Sequence, residues 1–75
     1  MSKLPNVSGR ECVQALERIG FYVRRQRGSY IILRCDDPYM QVAVPDHWEL
    51  DRGTLRAIIR QAGLSVDDFV DLLSQ

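Results

Sequence analysis

A chain of 75 residues cannot divide its apolar side chains between two cores, so residues 1–75 read as one domain and a second is excluded. With 45% hydrophobic residues, three prolines and five glycines, it has the composition of an ordered globular chain that folds without covalent staples. Formal net charge is zero, yet residues 1–35 carry seven basic and two acidic side chains while residues 36–75 carry three and eight. A locally basic surface that attracts phosphates is therefore not excluded, because charges beyond a Debye length of ~8 Å are largely screened.

In chain order, Ser8-Gly9-Arg10-Glu11 forms a capping-box pattern and predicts a helix start, since the serine hydroxyl and the glutamate carboxylate can each take a free backbone N–H. Cys12, Ala15, Leu16 and Ile19 recur at helical spacing and Gly20 can close the last turn, giving a first helix over residues 9–19. Phe21 to Gln26 is aromatic, β-branched and loosely alternating, which predicts a strand, with Arg27-Gly28 as a tight turn. Ser29 to Cys35 continues as a second strand, with Ile31, Leu33 and Cys35 on one face and Tyr30, Ile32 and Arg34 on the other.

Asp36-Asp37-Pro38-Tyr39 is turn chemistry, a simpler account of the two aspartates than a metal pair. Met40 to Val44 is a third strand with Met40, Val42 and Val44 on one side, ended by Pro45, which has no N–H for the ladder. After a polar loop to Asp51, Leu55, Ile58, Ile59 and Ala62 predict a second helix over 52–62, closed by Gly63. Ser65 and Asp68 repeat the cap, and Val66, Phe69, Val70 and Leu73 form the stripe of a short final helix.

The expected fold is thus α+β, a helix, a three-stranded antiparallel meander, a helix and a short helix, with the helices covering one sheet face. Its order and size match the double-stranded-RNA-binding-domain-like architecture. Cys12 and Cys35 lie on different elements, lack CxxC spacing and are expected to be buried thiols rather than metal ligands. No apolar run approaches the ~20 residues of a membrane span and no secretory signal pattern opens the chain, so a cytoplasmic protein is expected. No P-loop, GxSxG, zinc or paired-carboxylate pattern supports a metabolic enzyme.

Five strings are more specific: Gly20-Phe21; Arg25-Gln26-Arg27-Gly28-Ser29; Val44-Pro45-Asp46-His47; Gly53-Thr54-Leu55-Arg56; and Gln61-Ala62-Gly63-Leu64-Ser65. In this order and spacing, which covers nearly the whole chain, the sequence resembles the HicA family of toxins. The resemblance implies the double-stranded-RNA-binding fold, cleavage of messenger RNA without a metal or other cofactor (an mRNA interferase), and neutralisation by a HicB-like antitoxin encoded beside it. It also implies one catalytic histidine after the glycine-serine turn, where this sequence has Tyr30.

RNA cleavage needs a base for the 2′-hydroxyl proton, an acid for the leaving oxygen and cations around the phosphorane. Histidine suits the proton transfers because its ordinary pKa is ~6.5, whereas a phenol at ~10 is almost never ionised at neutral pH. Three readings of Tyr30 stand open: an inactivating substitution, natural or introduced; altered chemistry; or a non-catalytic homologue that binds RNA or an antitoxin. The ring can still stack on an unpaired base. The plain alternative is a half-buried strand tyrosine.

Arg24, Arg25, Arg27 and Arg34 surround the hairpin with Gly28 and Ser29, which reads as an RNA phosphate site or, more plainly, as a solvated charged face. His47, the only histidine, matches the family's histidine after the proline; its bland role is to tie the loop to the helix start through a ring N–H. Arg52, Arg56 and Arg60 stand four apart on one helix face, and Trp48 lies before them. These residues read as contacts to RNA or antitoxin, or as a plain surface with a core-capping tryptophan.

Overall fold

Local capping chemistry sets both ends of the first helix. A computed structural model describes residues 3–75. In it α1 spans Gly9–Glu17, and both capping-box bonds form: Glu11 N–H donates to Ser8 Oγ at 3.0 Å and Ser8 N–H to Glu11 Oε1 at 2.9 Å. The helix stops two residues short of the predicted Ile19. Gly20 N–H bonds back to the Glu17 carbonyl and Phe21 N–H to that of Leu16, the Schellman closure, with Gly20 at a φ of 105°. Ile19 is consequently turned outward and is 37% exposed, while Val13 joins Cys12, Ala15 and Leu16 inside.

The three strands are β1 (Tyr22–Arg27), β2 (Tyr30–Asp36) and β3 (Tyr39–Pro45), antiparallel in the order β1-β2-β3. The first two strands lie a residue later than predicted, because the first hairpin turns on Gly28-Ser29 rather than Arg27-Gly28 and Arg27 is already paired with Tyr30, while β3 is longer than the predicted Met40–Val44 by one residue at each end. Gly28 has a φ of 57°, the left-handed conformation a two-residue hairpin loop asks of its first residue when glycine stands there. The alternation expected for β2 and β3 is present, with Ile31, Leu33, Cys35, Val42 and Val44 buried and Met40 partly so.

β1 differs from its neighbours in burying none of its six side chains. Pairing slips between Val23 and Arg25, which leaves Arg24 as a bulge. Moreover, α1 and α2 (Arg52–Gln61) pack over β3, at the opposite edge of the sheet. β1 therefore overhangs the layer of helices, and the face of the sheet bearing Tyr30, Ile32 and Arg34 has no helix over it among the described residues.

α2 starts at Asp51, whose carboxylate accepts Thr54 N–H, and buries Leu55, Ile58 and Ile59. It ends in a second Schellman closure around Gly63. α3 (Val66–Leu73) carries the Ser65–Asp68 capping box, but its buried residues are Phe69 and Leu72, not the predicted line ending at Leu73. The segment before α1, unassigned from sequence, contributes Leu4 and Val7 to the core, held by Leu50 N–H to the Val7 carbonyl and Arg52 to the Leu4 carbonyl. The layout is the α+β arrangement expected: helix, antiparallel meander, then two helices on one side of it. Among the described residues no helix is long and apolar enough to cross a membrane.

Candidate functional site

Three pieces of chain meet at the tip of the first hairpin. Tyr30 opens β2 and is paired with Arg27 on β1 and with Pro45 on β3. The loop after Pro45 is held to the hairpin by Asp46 N–H donating to the Ser29 carbonyl at 2.7 Å, and to the start of α1 by Gly9 N–H donating to the His47 carbonyl at 2.9 Å. A Cβ on Gly9 would run into the Pro45 carbonyl, so only glycine allows this approach of helix and loop.

Tyr30 is 49% exposed on the uncovered face. Arg25, opposite Ile32, and Arg27, opposite Tyr30, belong to that same face by register. Neither has an acidic partner among the described residues, and Arg24 in the bulge has none either. Two exposed arginines of β1 thus share the face of Tyr30, Arg27 directly across from it and Arg25 one pair further along, with Gly28 and Ser29 at the turn beside it.

Arg34 does not join them. It lies four residues along β2, bonded through Nε to the Tyr22 hydroxyl at 2.8 Å and paired with Asp36 at 3.0 Å. The rings of Tyr22 and Tyr39 lie 5.7 and 5.9 Å from its guanidinium carbon. The Tyr22 hydroxyl bond and then Asp36 and the tyrosines raise the Arg34 pKa against the opposing effect of burial. Its charge is tied to Tyr22 and Asp36 at the far end of the hairpin, so the structure does not bring Arg34 together with the tip arginines among which the sequence places it.

His47 differs from its plain reading: among the described residues its ring makes no bond to the start of the following helix, α2, and the imidazole is exposed, while its backbone carbonyl accepts Gly9 N–H at the start of α1. Ser8, Arg10, Asp46, His47 and Trp48 line a shallow groove of about 410 Å³ at the base of α1. Sequence reasoning missed Arg10 and Asp46 here. Arg10 holds Asp46 by two bonds of 3.0 and 3.1 Å, which raises the guanidinium pKa and lowers that of the carboxyl. Nothing in the spacing of residues 36 apart could have announced that pair.

A family model for the HicA toxin of bacterial toxin–antitoxin systems matches residues 9–64, from the first residue of α1 to the turn before α3. The chain belongs to the HicA toxin family. It is a toxin-family chain whose counterpart is an antitoxin. No curated protein matches it. In this HicA chain the second basic group is separate from the hairpin: Arg52 and Arg56 line one groove toward α3, and Arg56 and Arg60 line the next. Arg52 also spends a donor on the Leu4 carbonyl, so this member of the stripe fastens the N-terminal segment. Trp48, far from capping the core, is 97% exposed.

Proposed function

We propose that this chain is an RNA-binding toxin of the metal-independent endoribonuclease type, an mRNA interferase acting in the cytoplasm and neutralised by a HicB-like antitoxin, with cleavage impaired by Tyr30. The observation that carries the reading is the juxtaposition at the hairpin tip. A side chain on an open sheet face stands across from Arg27 and one pair along from Arg25, neither of which has a carboxylate partner among the described residues, at the position where the family resemblance expects a histidine.

In cleavage of this kind the 2′-oxygen loses its proton and attacks the adjacent phosphorus while the 5′-oxygen departs and gains one. Arg25 and Arg27 supply the charge that steadies the crowded phosphate, because guanidinium groups form paired hydrogen bonds to phosphate oxygens and stay protonated. What the site lacks is the proton carrier. A phenol must first ionise, which at neutral pH costs about 4 kcal/mol, roughly three pKa units. It keeps a donor and a flat ring, so binding can persist without cleavage.

Tyr30→His should create or greatly increase RNA cleavage in the presence of excess chelator, with the tyrosine form nearly inert. Both proteins, made under tight repression, would be checked for folding and assayed on a structured RNA. Equal cleavage by the two forms would remove position 30 from the chemistry. Binding without cleavage in both would favour a second reading, a module that binds RNA or antitoxin, for which the exposed ring and solvated arginines suffice.

A further inference from the structure

Tryptophan is among the most buried side chains on average, and hiding it removes 150–250 Å² from water, the range usual for aromatic residues. Trp48 forgoes that gain at 97% exposure, and among the described residues nothing stacks on its ring or bonds its indole N–H. Its loop is nonetheless fastened. His47 on one side accepts Gly9 N–H and Leu50 on the other donates to the Val7 carbonyl at 2.7 Å, so backbone bonds to the α1 segment flank the tryptophan on both sides. The indole stands on a fixed arm, and its ordering cost on binding is confined to two side-chain torsions.

Its surroundings are polar. The groove beside it is lined by Ser8, Arg10, Asp46 and His47, with no apolar ring of the kind that shields the centre of a protein–protein interface. A bare aromatic face edged by donors and acceptors suits a single flat group with polar edges. Its position also points to one ligand. Pro45 pairs with Tyr30, and Trp48 follows three residues later, at most about 11 Å of chain away. To use both the arginines and the ring, an RNA strand whose phosphate rests on Arg25 and Arg27 would run past the hairpin tip and the Asp46 loop, which are bonded to each other, before a neighbouring base met the ring.

We propose that Trp48 is a stacking platform for an unpaired base of the bound RNA, adjacent to the phosphate held at the hairpin tip. This rests on the RNA-binding reading above and adds where the strand runs and that a base there is single-stranded. Because Arg10 is already engaged by Asp46, the groove adds little cationic attraction of its own. The affinity it contributes comes from stacking, which tolerates any base and releases few counterions.

Trp48 is the chain's single tryptophan, so its emission reports on this ring alone. The protein would be titrated with a short unstructured RNA and with an abasic ribose-phosphate strand of equal length, over a series of salt concentrations. The unstructured RNA should quench the emission and the abasic strand should not. Trp48→Ala should weaken binding of the RNA roughly 5- to 150-fold, the range of base–aromatic stacking, with an unchanged salt slope, and Trp48→Phe should recover most of it. RNA binding with unmoved emission and full affinity in Trp48→Ala would overturn the platform while the RNA reading stands. No binding of RNA by the unaltered protein would bring down that reading and the platform with it. A Trp48→Ala protein that binds RNA normally but no longer holds its antitoxin would assign the ring to the protein partner instead.

Discussion

Cys12 shows how one buried group couples the fold to pH. Its side chain is fully enclosed on the inner side of α1, and burial pushes the thiol up to about 12. An unfolded thiol loses its proton near ~8.5, whereas the native one keeps it. The contribution to stability is therefore complete below the unfolded value and is lost as pH rises toward the folded one. Unfolding midpoints measured between pH 8 and 11 should fall less steeply for Cys12→Ala than for the unaltered chain, and parallel curves would show that Cys12 carries none of the slope. Asp46 has the opposite sign: held below the ordinary carboxyl range by Arg10, it favours the fold above that range and ceases to as pH falls through its lowered value.

At the level of elements, the hairpin divides into a free tip and a tied far end. Replacing Arg25 and Arg27 with alanine should lower RNA affinity and flatten its salt dependence, since every phosphate left without its arginine takes about 0.7 to 0.9 from the slope. Arg34→Ala should leave the slope nearly unchanged and instead loosen the Tyr22–Asp36–Tyr39 cluster, read as a lower thermal midpoint. A flattened slope in Arg34→Ala equal to that of the double variant would contradict this division. The same contrast shows what was legible in the sequence. The caps of α1 and α3, both closing glycines and the alternation of β2 and β3 were readable, because each depends on chemistry within a few residues. The exposure of β1 was not, because it depends on which edge of the sheet the helices cover. Tyr30 is singled out by the resemblance and the tip arginines by their clustering around the hairpin; the Tyr22 bond to Arg34, the Arg10–Asp46 pair and the exposure of Trp48 are tertiary facts with no local signature.

For the whole molecule, zero net charge conceals separate regions: β1 carries Arg24, Arg25 and Arg27, and α3 carries Asp67, Asp68 and Asp71. A HicB-like antitoxin should neutralise the toxin by covering the open face with Tyr30 and the tip arginines, hiding them from RNA. Hydrogen exchange with and without the antitoxin should show added protection across residues 22–34; protection confined to α2 and α3 would mean inhibition from a distance. The naked first strand has an evolutionary consequence. The buried core lies on the other elements; none of the β1 side chains is buried, although Tyr22 ties the strand to Arg34 and Asp36. On the proposed reading, substitutions at Arg24, Arg25 and Arg27 would alter the choice of RNA or antitoxin at little cost to folding. A lineage of such toxins would then be able to change partners while keeping its architecture, with recognition and stability written in different letters of the same short chain.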